Sequence, residues 1–202
     1  MPNPYPFQVF ISHDKRDYEL AVRVFNLLTR FSALPYLYEH FPSYQEDIHT
    51  RILAVLRNCR LCLCLLTNNG IESQWVHQEL GAAYALGKAI IPCMEAGVAY
   101  KGFVQFRPRI EYNPSNYEQF AYEVLWAIRQ EFLGHNQLSF ALTCLHSHRS
   151  SYLAPSTEDI NQAIDQDRAA YQHGNRWLLV YKCNQCGIEI KVSPWTLEEQ
   201  GG

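Results

Sequence analysis

The sequence predicts an α/β fold, a parallel sheet with helices on both faces, followed by a smaller β-rich module. Three observations point there. Short apolar runs alternate with longer segments of helical period through the first two-thirds of the chain, the pattern of strand-helix-strand units that pair in parallel. One run, RLCLCLLT at 60–67, is apolar at nearly every position, as a strand covered on both faces must be. Beyond Gly134 the alternation gives way to short apolar segments flanking Cys and His residues. The 202 residues are 48% hydrophobic and 18% charged, enough apolar mass for one medium domain and a small one, which we place at 1–135 and 136–202.

QVFIS (8–12) is the first strand and ends in the polar loop HDKRD. Asp17 is positioned to cap a helix whose apolar stripe is Leu20, Ala21, Val24, Leu28 and Phe31. PYLYEH (35–40) reads as the second strand, followed by the loop FPSYQED and a helix from about Ile48 that turns Ile52, Val55 and Leu56 inward. RLCLCLLT is the third strand and NNG its turn. Ser73 caps the next helix, which ends near Gly87, and AIIPCM (89–94) is the next buried strand. A strand near RIEYN and a helix over 117–132 complete the unit. In such sheets ligands bind beyond the carboxyl ends of the strands, the rim that Ser12 to Arg16, Glu39 to Asp47 and Asn68 to Ser73 would reach.

Charge narrows the partners. A net charge of -3 and a pI of about 6.2 give no general basic field, so neither nucleic acid nor an anionic membrane surface is the default partner. No apolar run approaches the roughly 18 residues that span a bilayer. The start, MPNPYPFQVF, lacks a charged n-region and a cleavage site, and the expected location is cytoplasmic. Seven cysteines is an odd number, and Cys59, Cys62 and Cys64 lie in or beside one apolar run, as buried reduced thiols do.

The C-terminal segment has its own chemistry. LSFALTCLHSH, a polar helical insert over 156–172, and RWLLVYKCNQCGIEIKV predict a β-rich module. Cys183 and Cys186, two residues apart and followed by Gly, have the spacing with which two thiolates grip one Zn²⁺. Cys144 and His148 supply two further ligands, with His146 competing for the fourth place. A redox Cys-x-x-Cys or incidental cysteines are the alternatives. The knuckles and their flanking strands resemble a zinc ribbon carrying an inserted helix, and that resemblance implies a structural zinc.

The stretch SQWVHQEL (73–80) carries the other chemistry. Val76, Leu80, Ala83 and Gly87 form its packing stripe, while Trp75, Glu79 and Ala82 lie one step round the helix. Glu79 therefore sits at the border of the buried face, where partial desolvation raises a carboxyl pKa and strengthens its hydrogen bonds. Taken alone, the helix favours the plainer reading, a boundary Glu bonded to a neighbouring backbone group or a Lys, with Trp75 used for packing.

FQVFISHDKRD with AVRVFNLL, PYLYEHFPSYQED with DIHTRI, CRLCLCLLTNNGIESQWVHQELGAA, and AIIPCMEAG occur in an order and spacing that resemble the Toll/interleukin receptor (TIR) domain of the bacterial and archaeal, NAD-cleaving type, over residues 7 to about 133. The resemblance implies a five-stranded parallel sheet in flavodoxin-like order. It implies an enzyme, an NAD+ nucleosidase that cleaves the nicotinamide-ribose bond as a glycohydrolase or ADP-ribosyl cyclase, in prokaryotic antiviral defence signalling. Glu79 matches the catalytic Glu of a W-x-x-x-E arrangement and Trp75 its Trp. Ser12, His13, Lys15 and Arg16 match the first box, where ribose and pyrophosphate are met, whereas Asp14 and Asp17 read as helix caps. Phe41 to Asp47 match a loop that covers the site and mediates assembly, with Phe41 and Tyr44 as exposed anchors, although the family's usual Gly near Tyr44 is missing. The expected partners are NAD+ as substrate, further copies of the chain through TIR–TIR contacts, and an upstream or downstream defence protein. The alternative function is a non-catalytic TIR interaction module. A more distant one is a nucleotide sensor that does not cleave.

Overall fold

The computed structural model describes residues 7–31, 33–41, 47–99, 102, 104, 107–132, 139–153, 155 and 157–200. The chain divides into two compact units, Met1–Thr29 with Ala33–Phe120, and Arg30–Ser32 with Ala121–Gly202.

In the first unit, five apolar runs become strands β1 (Val9–Ser12), β2 (Pro35–Tyr36), β3 (Leu61–Leu66), β4 (Ala89–Glu95) and β5 (Ile110–Tyr112). They form a parallel sheet in the order β2-β1-β3-β4-β5. This is the flavodoxin-like order expected. All six residues of β3 are buried, which is why its sequence is uninterruptedly apolar. The helices are α1 (Tyr18–Arg30), α2 (Ile48–Asn58) and α3 (Gln74–Ala85), while α4 (Tyr117–Phe132) starts here and from Ala121 onward belongs to the second unit. Strand order reverses at β1, so right-handed crossovers send α1 to one face of the sheet and α2 and α3 to the other. On that second face Phe10, Cys62, Cys64, Leu66, Ile90 and Met94 meet Ile52, Val55 and Leu56 of α2 and Val76, Leu80 and Ala83 of α3. Burial pushes the Cys59 thiol up to about 12, and the neighbouring Cys64 together with burial holds Cys62 well above the usual range. These cysteines are packing groups.

Two elements differ from the sequence expectation. The second strand has two residues rather than six, because the chain turns at once: the His40 amide donates to the Leu37 carbonyl (3.0 Å) and the Phe41 amide to Tyr38 (3.1 Å), closing a 3-10 turn over Tyr38–His40. Asp17 does not cap α1. It ends a 3-10 turn, Lys15–Asp17, capped by Asp14, whose carboxylate accepts from the Arg16 amide at 3.0 Å. Asp17 instead accepts from Thr67 Oγ1 (2.6 Å) and Asn69 Nδ2 (2.8 Å), tying the loop after β1 to the turn after β3.

The second unit contains two antiparallel hairpins, β6 (Ser139–Thr143) with β7 (Arg149–Leu153), and β8 (Leu179–Lys182) with β9 (Glu189–Val192). Helix α5 (Thr157–Tyr171) lies between them in the chain. Read as merely polar, this insert has a buried face of Ile160, Ala163, Ile164 and Asp167. Asp167 accepts from the Trp195 indole (2.8 Å), the Trp177 amide (2.7 Å) and Arg176 Nε (3.1 Å), which satisfies a carboxylate out of water and clasps α5 to the segments around the second hairpin.

The turn that launches α3 leaves no room at Gly70, where a Cβ would stand 2.2 Å from the Leu65 carbonyl oxygen. Gly70→Ala is expected to destabilise the protein by about 1–3 kcal/mol, the usual cost of overpacking. Urea unfolding of the full chain checks it, and an unchanged midpoint would show that the turn relaxes freely.

Candidate functional site

Helix α3 begins where Ser73 accepts from the Val76 amide (3.5 Å), and this start fixes which residues face inward. Its buried residues are Val76, Glu79, Leu80 and Ala83, so Glu79 lies within the packed stripe rather than at its border, only 5% exposed. A carboxyl there must find a donor. Ser12, the last residue of β1 and itself fully buried, supplies it: Ser12 Oγ donates to Glu79 Oε2 at 2.6 Å. Burial pushes the Glu79 carboxyl up to about 8, against the hydrogen bonds from Ser12 and Trp75 that lower it, and the charge of Glu39 adds to the rise. Among the described residues no cation is paired with it.

Glu79 lines a cavity of about 360 Å³ at the carboxyl ends of β1 and β2. That is the size of a small-molecule site, at the point where the strand order reverses. Phe10, Ile11, Tyr38, Ile48 and Trp75 give it apolar walls, and His13, Asp14, Lys15, Glu39 and Ser73 join Glu79 as polar groups. Trp75 is backed by His49, with ring centroids 5.2 Å apart. His13 is 7% exposed and puts Nε2 3.3 Å from Glu39 Oε1, with no hydrogen bond formed by that nitrogen. Arg16 holds the Asp14 carboxyl down at about 2, keeping the cap of the first loop ionised.

Of the residues expected at this site, Ser12, His13, Lys15, Trp75 and Glu79 converge on the cavity or on one another. Arg16 does not line it. Its guanidinium bonds Asp14 (2.7 Å) and the Asn69 carbonyl (3.2 Å) outside. Phe41, expected to be an exposed anchor, is packed: it stacks on Tyr36 at 5.5 Å and meets Phe7 edge-on at 4.7 Å, because the tight turn after β2 folds it back onto the core. Tyr44 lies outside the described residues. Glu39 was placed only at the start of a rim segment, and Tyr38 and Ile48 were not read as site residues from sequence. The signal for Glu39 was present, since it is the first charged residue after an apolar run at the carboxyl end of a strand.

The second unit holds a separate cluster. Cys144 and His148 occupy the turn between β6 and β7, and Cys183 and Cys186 the turn between β8 and β9. Their ligand atoms all lie within 4.8 Å of one another. Each turn is shaped for this. Gly187, at φ +73, lets its amide return to the Cys183 carbonyl (2.9 Å), and Ser147, at φ +62, does the same for Cys144 (2.8 Å). Amides of Gln185 and Cys186 bring the Cys183 thiol down to about 6. The Ile188 amide acts likewise on Cys186, but burial and the sulfurs of Cys183 and Cys144 leave that thiol above its ordinary value. Such a group could bind a metal ion. A tetrahedral zinc with Zn–S bonds of about 2.3 Å sets its sulfurs about 3.8 Å apart, and Cys144 Sγ and Cys186 Sγ stand 3.6 Å apart. His148 Nδ1 is buried without a hydrogen-bond partner, the atom a metal would satisfy. The histidine in this cluster is His148, not His146.

Among the described residues no helix is long and apolar enough to cross a membrane. Comparison with curated proteins finds no match. Among solved structures, the fold is similar to the TIR domain of the Toll-related receptor TRR-2 from Hydra magnipapillata, with TM-score 0.52 and 15% identity over 61% of this chain and 98% of that one. It is also similar to a metazoan TIR-STING receptor from C. gigas, solved in complex with 2',3'-cGAMP, with TM-score 0.53 and 14% identity over 63% of this chain. The chain spans 41% of that receptor. A sequence profile described as TIR domain matches residues 9–129, most of the first unit and the start of the second. The profile includes every residue of β1 to β5 and the whole of α3 with Trp75 and Glu79. TIR domains include NAD-cleaving members and commonly self-associate. This chain belongs to the TIR domain family.

Proposed function

We propose that the first unit cleaves NAD+ between nicotinamide and ribose, as a glycohydrolase or ADP-ribosyl cyclase. The observation that carries this reading is a carboxyl group, Glu79, buried in the wall of a cavity and, among the described residues, paired with no cation. Such a cavity favours a ligand that brings its own positive charge next to an aromatic face. The oxidised nicotinamide ring is cationic, and Trp75 offers that face. Binding the ring puts a positive charge beside Glu79, so its pKa falls and the carboxylate forms where it is needed. Nicotinamide then leaves as a neutral molecule and requires no general acid. The positive charge that develops on the ribose is stabilised by Glu79, which Ser12 holds in place by the 2.6 Å bond. Lys15, on the cavity wall, is placed to meet a phosphate. Self-association through TIR surfaces accords with the family.

For the second unit we propose a structural zinc held by Cys144, His148, Cys183 and Cys186, supported by the 3.6 Å sulfur spacing and the unsatisfied His148 nitrogen. All four positions are filled by protein, so the ion has no open place for chemistry. The metal would tie the turns of the two hairpins together and contribute to the folding free energy of the unit.

Glu79→Gln is expected to lower nicotinamide release from NAD+ by at least about a hundredfold, since it keeps the size and loses the charge. Chromatography of the products of purified protein checks it, and turnover like the wild type would remove Glu79 from the reaction and favour a non-catalytic module. The same substitution should stabilise the protein. A carboxyl whose folded pKa is raised from 4.5 to about 8 keeps its proton while the unfolded chain loses it, so stability falls as pH rises through that window. At about 1.4 kcal/mol per pH unit the loss is at most about 5 kcal/mol above pH 8. Melting curves of Glu79→Gln and wild type should coincide near pH 4 and separate, with the variant higher, by pH 8. Equal curves at both pH values would mean that the carboxyl is not desolvated.

Zinc is expected at one equivalent per chain, and Cys183→Ser should lose it while His146→Ala keeps it. Elemental analysis checks this, and metal-free protein purified without chelator would refute the site.

A further inference from the structure

We propose that Glu39 is the general base of this reaction, its carboxylate taking the proton from the water or hydroxyl that captures C1′ of the ribose once nicotinamide has left. The assignment rests on the glycohydrolase reading above and adds a second reacting carboxylate to it. Glu39 sits in the 3-10 turn after β2 and lines the cavity that Glu79 lines. The end of β1 serves both groups. Ser12 donates to Glu79 at 2.6 Å, while His13, the next residue, puts its imidazole 3.3 Å from Glu39. Ser12 ends β1 and His13 follows it, so two adjacent residues hold two carboxyl groups that line one cavity.

The two environments differ in the direction that divides labour. Glu79 is 5% exposed, whereas the Glu39 side chain is 35% exposed and opens to solvent. Burial pushes Glu39 up, but the His13 imidazole, its own backbone amide and His40 bring it below the ordinary carboxylate value. Glu39 is therefore ionised at neutral pH while the free Glu79 keeps its proton, and the Glu39 charge contributes to that difference. Paired carboxyl groups whose pKa values are pushed apart mark an acid-base division within one site. The other carboxylate on the cavity wall, Asp14, is engaged by Arg16 and by Ser73, and Lys15 has no acceptor to offer, which leaves Glu39 as the accessible base.

The step balances without a co-reactant. The C1′–N bond breaks and its electron pair departs with nicotinamide. A lone pair on the incoming oxygen, from water or from a second ribose hydroxyl, forms the O–C1′ bond. The proton on that oxygen passes to Glu39 and then to bulk water from its exposed side. Nothing is oxidised or reduced.

The experiment compares wild type with Glu39→Gln using NAD+, isotope-labelled nicotinamide and sodium azide. Loss of the base should slow hydrolysis about a hundredfold, within the range for general base catalysis. Exchange of labelled nicotinamide into NAD+ requires no proton removal and should persist. Azide, an anion that needs no deprotonation, should restore turnover of Glu39→Gln and yield ADP-ribosyl azide. Glu39→Asp, which keeps a carboxylate, should recover part of the hydrolysis. Unchanged hydrolysis in Glu39→Gln overturns the assignment. So does a parallel loss of hydrolysis and exchange without an azide product, because Glu39 would then only shape the cavity. Wild-type protein that releases no nicotinamide would instead remove the glycohydrolase reading, and this assignment with it.

Discussion

The hydrogen bond between Ser12 and Glu79 joins the end of the first strand to the inner face of α3, and the site depends on it. A carboxyl group buried to this degree is tolerated only where a donor is fixed beside it. Fixing that donor requires β1 and α3 to meet in one register. Much of the local structure can be understood as meeting this requirement. Ser73 caps α3 and so sets its rotation, Gly70 lets the preceding turn press against Leu65, and Asp17 binds Thr67 and Asn69 so that the loops after β1 and β3 hold each other. Of these residues Ser73 also lines the cavity, while Gly70 and Asp17 act on it only through the position they impose on Glu79.

The two units apply one electrostatic strategy with different atoms. In the first, carboxyl groups line one cavity and, among the described residues, none of the cations is paired with Glu79, and in the second three sulfurs and an imidazole nitrogen share a space of under 5 Å. In both, the protein holds like groups close by packing and backbone hydrogen bonds, and leaves neutralisation to what binds. Under the functions proposed here the neutralising charge is a pyridinium in one case and a metal ion in the other. The difference lies in permanence, since the first charge is lost in the reaction and the second stays.

The sheet and its helices were legible because their signals are long and periodic. RLCLCLLT could only be a strand covered on both faces, and α2 and α4 begin at Ile48 and Tyr117, where the sequence places them. The Cys/His cluster was legible because its spacing carries a known geometry. What could not be read was set by contacts between distant segments. Asp17 looked like a cap, and only the approach of Thr67 and Asn69 gives it another role. Glu79 looked like a border residue because helical periodicity says which side faces in, but not how deeply the neighbouring strand end covers it. Glu39 and Phe41 depended on a turn that ends β2 after two residues, and the apolar letters of YLY suggested that the strand continued. Asp167 was hidden in a helix whose composition is polar, since its partners Trp177 and Trp195 lie 10 and 28 positions along the chain.

The shortness of β2 has a consequence for how copies of this chain can meet. An open sheet exposes unpaired backbone donors and acceptors along its margins, and another chain can lengthen the sheet by pairing there. Here one margin is a two-residue strand that begins with Pro35, a residue with no amide hydrogen to give, and the other is a three-residue strand. Neither offers a ladder long enough to template a neighbour. Growth of the sheet from one molecule into the next is therefore closed off, and any filament or dimer built from this unit must be written in side chains and turns, where single substitutions can tune it, rather than in the backbone, where they cannot.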